Sequence, residues 1–382
     1  MKSETVITIL GAGVVGTAMA IDLAKENYQI QIVDISEHNF AKLNTFNNIT
    51  TITSDLSNVL NINTAIAESD LVINALPGFL GYNACKTIIE SKINFVDIAF
   101  FPEDPTNLKN LALSNQVIGV VDAGVAPGLS NILVSSTAQQ LDQIESVKIY
   151  VGGLPKLETL PEDSIFQYRA VFSPIDVIEE YVRPARLVEN GELVSKQALT
   201  EPEDLEFDKI GTLQAFNTDG LRTLIDSIKA TNMSEKTLRY PGHLDKVKLL
   251  REIGYFSSEP LIIGKHQITP VDLTAKLLLP LWKLQKTEED FTVMRIIVEG
   301  ESKGQSKIFH YELYDEYDSK TETTSMARTT GYTATSVAEA ILNGKFTKVG
   351  LSAPEELGKD QNIVKFITER LAARSVRWQT FN

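Results

Sequence analysis

Three glycines and an acid near the amino terminus have the spacing of a loop that binds a dinucleotide. Gly11, Gly13 and Gly16 form a G-x-G-x-x-G pattern, and Asp34 follows at the end of the next apolar run. The first glycine allows a tight turn, the second lets backbone approach a pyrophosphate, and the third lets a helix pack on the strand. A carboxylate at Asp34 can accept hydrogen bonds from both hydroxyls of an adenosine ribose. It repels a 2′-phosphate, and no Arg or Lys stands in the next few positions, so the pattern predicts NAD rather than NADP.

These residues need a strand before them and a helix after them, and the sequence supplies both. Residues 6–10 form a largely apolar run that is typical of a buried parallel strand, and residues 15–25 have a helical pattern. The helix would direct its unpaired N–H groups and the positive end of its dipole at the phosphate. A second strand over 29–33 places Asp34 at its end.

Strand and helix patterns alternate from the first strand to residue 128, including a predicted helix over 38–47. This alternation predicts an α/β fold with a Rossmann-type doubly wound parallel sheet, in which strand ends form the cofactor crevice. Besides the glycines and Asp34, the cofactor contacts predicted from these strand ends and loops are Val14, Val15, Asp55, Ala75, Leu76, Pro77, Gly124 and Pro127.

The pattern changes after residue 128, where strands begin to alternate apolar and polar residues. This predicts an α+β domain with a mixed or antiparallel sheet, which would bind the substrate and form the dimer. The predicted domains are therefore 1–128 together with a return helix at about 325–350, and 129–324. Residues 184–210 are rich in charge and Pro and are predicted to form an exposed excursion.

Composition excludes several classes of protein. The chain has 382 residues, which is longer than a single hydrophobic core usually supports, so two domains are expected. Its net charge of −14 argues against nucleic acid and anionic membrane surfaces as partners. Cys85 is the only cysteine, so neither an internal disulfide nor a cysteine zinc site is possible, and no metal-ligand spacing is present. There is no signal peptide and no apolar run long enough to span a membrane, so we expect a cytoplasmic protein.

Several separated motifs resemble the saccharopine dehydrogenase family, most closely its lysine 6-dehydrogenase branch. They lie at residues 100–105, 122–128, 150–155, 215–220 and 237–243, and the resemblance extends from about residue 5 to 350. Ala126 and Val151 stand where glutamate-forming members usually have Asp and Cys, as in the lysine 6-dehydrogenase branch. The resemblance implies a Rossmann domain with a mixed-sheet domain, a homodimer, and hydride chemistry at a carbon that bears an amine.

This chemistry needs proton transfer and charged groups for an amino-acid substrate. Asp122 could accept a proton or bind the substrate ammonium, or it could cap the following turn. His243 could transfer protons near neutral pH, although a lone histidine is often structural. Asp219 could hold the distal ammonium or make an Asx turn, and the arginines could hold carboxylates or form ion pairs. The predicted site therefore comprises Asp122 and His243 as catalytic residues, with Asp219, Arg222, Arg239 and Arg169 binding the substrate.

The cofactor pattern predicts an NAD-dependent protein, and the resemblance implies that it is an enzyme that oxidises a C–N bond of an amino acid. The resemblance implies either oxidative deamination of lysine or cleavage of saccharopine to the lysine semialdehyde. Two alternatives stay open, a carboxylated-polyamine dehydrogenase and a non-catalytic NAD-binding protein. The predicted ligand besides the cofactor is a small amino acid or a diamine.

Overall fold

The computed structural model describes residues 5–171 and 174–381, and these form two compact units. The first unit holds the described residues up to Gln139 together with Ala327–Arg377. The second holds the described residues from Gln140 to Met326 and those from Trp378 onward. The helix after residue 128 therefore lies in the first unit, beyond the boundary expected from the sequence.

The first unit begins with alternating strands and helices. In chain order these are β1 (Val6–Leu10), α1 (Val14–Lys25), β2 (Gln29–Asp34), β3 (Ile49–Thr53), α2 (Val59–Ile66), β4 (Leu71–Asn74), α3 (Gly78–Glu90), β5 (Asn94–Asp97), α4 (Lys109–Ser114), β6 (Ile118–Val120) and α5 (Leu129–Ala138).

The chain then builds the second unit and returns to the first. The second unit contains β7 (Gln143–Pro155), α6 (Pro174–Val182), β8 (Ala185–Glu189), β9 (Glu192–Lys196), β10 (Glu203–Phe207), β11 (Gly211–Asn217), α7 (Leu224–Ser227), β12 (Ala230–Arg239), α8 (His243–Glu252), β13 (Leu261–Ile263), β14 (His266–Ile268), α9 (Pro270–Trp282), β15 (Asp290–Ser302) and β16 (Gln305–Glu316). The remaining elements are α10 (Ser325–Leu342), β17 (Gly350–Ser352), α11 (Pro354–Gly358), α12 (Gln361–Ala373) and β18 (Trp378–Phe381), of which β18 belongs to the second unit.

The sheet of the first unit confirms the predicted doubly wound architecture. Its strand order is β17-β6-β5-β4-β1-β2-β3, and every described pairing in it is parallel. β1 is flanked by β2 on one side and β4 on the other, so the strand order reverses there. Ligands of such sheets bind outside the carboxyl ends of the strands at this reversal. The apolar run predicted at the start of the chain is fully buried at Ile7, Ile9 and Leu10.

The sheet of the second unit is mixed, as predicted. Its order is β10-β11-β12-β7-β15-β16-β18, with β8 joining β12 and β9 joining β8. β12 runs parallel to β7, whereas β7 and β15 are antiparallel. A cluster of aromatic and aliphatic side chains from α6, α8 and α9 forms a separate core that contains Tyr168, Tyr181 and Trp282.

Two sequence predictions about local structure were wrong. The helix expected over 38–47 is only a 3₁₀ turn over Glu37–Phe40, because this stretch contains Asn39, Asn44 and Asn47, which are weak helix formers. The excursion expected over 184–210 contains β8, β9 and β10 and buries Leu187 and Phe207. Charged residues lie on both faces of β8 and β10, but some apolar positions among them are still buried.

Among the described helices, none combines the length and apolar character that crossing a membrane requires.

Candidate functional site

The loop between β1 and α1 is closed tightly by its glycines but leaves its outer side open. Gly11 has φ of +102°, and a Cβ there would lie 2.6 Å from the carbonyl oxygen of Ala75. A Cβ at Gly16 would collide with the Gly11 carbonyl oxygen. A Cβ at Gly13, in contrast, would meet nothing within 4 Å. The free space beside Gly13 and the first N–H groups of α1 fit a pyrophosphate.

Asp34 connects this loop to the end of β2. Its Oδ2 accepts a hydrogen bond from the Ala12 N–H at 2.7 Å, and its Oδ1 accepts from the Ser36 N–H at 2.9 Å and from Asn39 Nδ2 at 3.1 Å. Next to it Ile35 is 69% exposed and offers an apolar surface of the kind on which an adenine ring can rest. The carboxylate is therefore fixed in direction where a ribose would be expected.

The other predicted cofactor residues are placed around the same strand ends. Val14 is exposed at the first turn of α1, and Val15 follows it partly buried. Asp55 is exposed after β3, where hydrogen bonds from Ser57 lower the pKa of its carboxyl. Ala75, Leu76 and Pro77 connect β4 to α3, with the Ala75 N–H donating to the Leu10 carbonyl at 2.9 Å. The structure thus brings these residues to one edge of the first sheet, and their contact with a cofactor stays a prediction.

A buried polar cluster lies at the carboxyl ends of β4 and β5, and sequence reasoning did not assign it. Asn74 donates from Nδ2 to Asp97 Oδ1 at 2.7 Å, and the thiol of Cys85 lies 3.4 Å from the same oxygen. All three side chains are fully buried. Burial, followed by the charge of Asp122, raises the pKa of Asp97 to about 7. An acid at the end of an apolar strand was the available signal, because ligand sites form there.

Asp122 and the loop after it follow β6. Asp122 is 2% exposed and has φ of 54°, a left-handed conformation that is uncommon outside glycine. Gly124 and Pro127 lie in the turn that leads into α5, where a Cβ at Gly124 would lie 3.1 Å from the Pro127 carbonyl oxygen. Asn131 accepts from the Gly128 N–H at 3.2 Å and so caps α5. These contacts fix the loop beside the buried side chain of Asp122.

In the second unit, His243 is enclosed by aromatic side chains. Its Nε2 lies 2.9 Å from the Tyr181 hydroxyl, and its Nδ1 lies 3.2 Å from the Phe166 carbonyl oxygen. Burial and then the charge of Arg239 lower the pKa of His243 to about 3. The imidazole is therefore neutral at physiological pH, and its proposed proton transfer stays a prediction.

Arg239 and Arg169, both predicted to bind a carboxylate of the substrate, have partners within the second unit. The Arg239 guanidinium lies 4.6 Å from the centre of the Tyr168 ring and donates to Glu180 Oε2 at 3.2 Å. Arg169 forms a fork with Glu288, with both N–O distances at 2.8 Å. Such bidentate pairs are strong and directional. These contacts anchor structure, and the substrate contacts of both arginines stay predictions.

Asp219 and Arg222 lie in a second polar region of this unit. Asp219 accepts two hydrogen bonds from the Arg186 guanidinium, from Nε at 2.9 Å and from Nη2 at 3.0 Å, and a third from the Arg186 backbone N–H at 3.2 Å. Arg222 is 5% exposed with φ of 51°. Burial, then the neighbouring charge of Arg222, lowers the pKa of Arg183, so two guanidinium groups lie near one another. Sequence reasoning missed Arg183, which stands in no recognisable motif.

Glu235 on β12 was also missed. It is 3% exposed and accepts a hydrogen bond from the Thr218 hydroxyl at 2.7 Å. Burial raises the pKa of Glu235 to about 8, and the charges of Glu180 and Asp219 act in the same direction. Within the described part of the chain, no group of three or more His, Cys, Asp or Glu side chains is arranged to hold a metal ion.

Comparison with known proteins identifies two family models that together span most of the chain. The model described as "Saccharopine dehydrogenase NADP binding domain" matches residues 7–128. The model described as "Saccharopine dehydrogenase C-terminal domain" matches residues 124–376.

Several curated relatives match at low identity. "Alpha-aminoadipic semialdehyde synthase, mitochondrial" of Mus musculus is 24% identical over 292 residues, which cover 73% of this chain and 31% of the mouse protein. "Saccharopine dehydrogenase [NADP(+), L-glutamate-forming]" of Pyricularia oryzae is 22% identical over 239 residues, covering 60% of this chain and 52% of the fungal protein. The chain spans about a third of the mouse relative's length. The predictions of a homodimer and of a cytoplasmic location stay predictions.

A solved structure shares the fold over nearly the whole chain. The apo saccharopine dehydrogenase (L-Glu forming) from Saccharomyces cerevisiae superposes with a TM-score of 0.79 at 18% identity. The match covers 99% of this chain and 100% of the yeast chain.

Proposed function

Because this chain belongs to the saccharopine dehydrogenase family, we propose that it is a dinucleotide-dependent dehydrogenase that oxidises the amine-bearing carbon of an amino acid. The observation that carries the proposal is the cradle formed by Gly11, Gly13 and Gly16 with Asp34 fixed beside it. It accompanies buried acids, Asp97 and Asp122, at the carboxyl ends of neighbouring strands of the same sheet. Such an arrangement provides both a cofactor site and groups for proton transfer.

We propose NAD as the cofactor, although the family model and the name of the Pyricularia relative refer to NADP. Asp34 and the exposed Glu37 place two carboxylates at the end of β2, where a 2′-phosphate would be bound. The sequence has neither Arg nor Lys from Asp34 until Lys42. A 2′-phosphate would therefore meet repulsion without a nearby guanidinium or ammonium to offset it.

The bound dinucleotide supplies a hydride acceptor. The protein must hold the cofactor, orient the amine and remove a proton from the substrate ammonium, since only the neutral amine can lose a hydride to form an imine. Asp122 is the residue that we propose as the proton acceptor, because it is buried at a strand end of the cofactor-binding sheet. Hydrolysis of the imine would then release the aldehyde.

The charges of the second unit support lysine as the substrate. Saccharopine carries three carboxylates and needs several free cations, yet Arg169, Arg186 and Arg239 already pair with Glu288, Asp219 and Glu180. Glu235 pairs with no cation in the described part of the chain, which supports a substrate that brings an ammonium group of its own.

The test is to incubate the purified protein with NAD or NADP and, separately, with lysine, saccharopine and short diamines, following absorbance of the reduced cofactor. We expect NAD to be reduced with lysine and not with saccharopine or the diamines. Reduction only with saccharopine would assign the glutamate-forming reaction, and activity only with diamines would assign the polyamine reaction. Absence of turnover with every amine in both directions, despite dinucleotide binding, would contradict an enzymatic role.

Asp122→Asn serves as the matched variant. It should bind NAD normally but turn over lysine at least a hundredfold more slowly, on the order expected for a lost general base.

A further inference from the structure

Asp97 is a buried acid that is distinct from the proposed proton acceptor, Asp122. It is 0% exposed, its Oδ1 is held by Asn74 and Cys85, and its Oδ2 has no hydrogen-bond partner in the described part of the chain. A buried carboxylate oxygen without a partner is costly, and a carboxyl group can avoid that cost by keeping its proton.

The backbone holds Asp97 and Asp122 close together. Val96 of β5 is in register with Val120 of β6, so Asp97, the last residue of β5, and Asp122, two residues beyond the end of β6, lie at neighbouring strand ends. The Ala123 N–H donates to the Asp97 carbonyl oxygen at 2.9 Å, which fixes the residue next to Asp122 against Asp97. The left-handed conformation of Asp122 is thus held by a contact with the strand that carries Asp97.

The groups that surround Asp97 favour the protonated form. Burial has the largest effect on its pKa, and the charge of Asp122 is the second largest. Cys85 on α3, Asn74 at the end of β4 and the Ala99 N–H act in the opposite direction but contribute less. Burial and the charge of Asp97 in turn raise the pKa of Cys85, so the thiol stays neutral and brings no further charge.

We propose that Asp97 and Asp122 form an electrostatically coupled carboxyl pair, with Asp97 as the positioning residue that makes the pair a base suited to neutral pH. This inference deepens the proposed function and rests on it for the role of Asp122. Two neighbouring carboxyls lose their protons in two separated steps that belong to the pair. Once the second proton has left, the pair can take one proton from the substrate ammonium, leaving the neutral amine, and can later release that proton to solvent. A lone aspartate is a much weaker base.

The kinetic test compares the pH dependence of kcat/KM for lysine in the wild type, Asp97→Asn and Asp360→Asn. Asp360 is an exposed helix cap in the first unit and serves as the control. We expect an acid limb near pH 7 in the wild type and in the control. Asp97→Asn should move this limb down by more than one pH unit and lower the plateau on the order of tenfold or more. An unmoved limb in a folded, NAD-binding Asp97→Asn protein would overturn the inference.

A second measurement needs no turnover. The infrared difference spectrum between wild type and Asp97→Asn should show the carbonyl stretch of a neutral carboxylic acid at pH 6, and this signal should disappear as the pH rises through about 7. In Asp122→Asn the same signal should disappear at a lower pH, because the neighbouring charge is gone. Absence of the signal at pH 6, or an unchanged midpoint in Asp122→Asn, would overturn the pair even if lysine were oxidised. If no amine is oxidised but the signal behaves as expected, the pair stands and the proposed function fails.

Discussion

At the scale of single residues, the chain uses carboxylates in two different ways. Asp34 is partly exposed and accepts hydrogen bonds from neutral N–H donors. Asp97 and Glu235 are buried, neither pairs with a cation among the described residues, and the pKa of each is raised. The first kind is suited to permanent recognition of hydroxyl groups. The second kind is suited to proton transfer or to binding an ammonium group.

The substitution Asp34→Asn tests whether Asp34 recognises the hydroxyl groups of the ribose. The amide keeps the shape of the side chain but loses the charge that strengthens its hydrogen bonds to ribose hydroxyls. We expect the Kd of NAD to rise about tenfold, corresponding to about 1.4 kcal/mol, while NADP binding improves or stays unchanged. Fluorescence titration of both dinucleotides measures the ratio, with the exposed Glu37→Gln as the control that should leave NAD affinity within about threefold, or under 1 kcal/mol. Equal weakening of NAD binding and NADP binding would show that Asp34 stabilises the loop rather than binding the ribose.

The substitution Glu235→Gln tests whether Glu235 binds an ammonium group of the substrate. Above about pH 8, where the Glu235 carboxylate is ionised, replacing this acceptor of an ammonium group costs about 1.5–3 kcal/mol, so the lysine Kd should rise on the order of tenfold to a hundredfold. NAD affinity should not change. Glu299→Gln on β15 of the same sheet is the control. Calorimetric titration with lysine measures the effect, and an unchanged lysine Kd would exclude Glu235 from substrate binding.

The raised pKa of Glu235 also predicts a pH dependence with a definite sign. Between the ordinary pKa of a glutamate, about 4.3, and the folded value of about 8, the unfolded chain loses its proton while the folded protein keeps it. The free energy of unfolding therefore falls as pH rises through this window. Lysine binding should strengthen over the same range, because it requires the charged carboxylate. Glu235→Gln should flatten both dependences, as chemical denaturation and calorimetry at several pH values would show.

At the scale of elements, two glycines at the junction of β1 and α1 have different roles, one in helix packing and the other in cofactor binding. Gly16 is required by the close approach of α1 to the Gly11 carbonyl, whereas Gly13 faces free space. Gly13→Ala should therefore leave the melting temperature within a few degrees of wild type, consistent with a surface change of about 0.5 kcal/mol, but should weaken NAD binding on the order of tenfold or more.

Gly16→Ala is the matched comparison. Its Cβ would collide with backbone, which cannot rotate away as a side chain can, so we expect a loss of stability of about 1–3 kcal/mol. Thermal melts of the two variants without cofactor measure the difference. A destabilised Gly13→Ala or a fully stable Gly16→Ala would contradict the assignment of the two glycines.

The same elements show what could be predicted from the sequence. The strand, glycine and acid positions of the first unit follow local rules, so β1, α1, β2 and the place of Asp34 were predictable. The strands within residues 184–210 were not predictable, because charged residues on both faces of β8 and β10 obscure the alternation of apolar and polar positions that indicates a strand. Asp97, Arg183 and Glu235 were missed because their environments are created by residues distant in the chain. Their significance depends on burial, which a single sequence does not reveal.

At the scale of the whole molecule, each unit has its own buried ion pairs. In the first unit, Arg374 donates to Asp22 at 2.6 Å and to Glu339 at 3.0 Å, and Arg370 also pairs with Glu339. These contacts join the carboxyl-terminal helix α12 to α1 and α10. In the second unit, the Arg169–Glu288 fork has a comparable role. Each arginine is therefore a specific probe of the stability of its own unit.

Because each unit has a buried core of its own, we expect two thermal transitions, and we expect NAD to raise the melting temperature only of the transition that belongs to the first unit. At a cofactor concentration a hundred times Kd the stabilisation should be about 2.7 kcal/mol. Arg374→Ala should lower the NAD-sensitive transition and Arg169→Ala the other, each by about 3–5 kcal/mol, since each leaves a buried carboxylate without its partner. Differential scanning calorimetry with and without NAD distinguishes the transitions. A single transition that both variants lower equally would show that the two cores unfold as one cooperative body, and dinucleotide binding would then stabilise the whole chain.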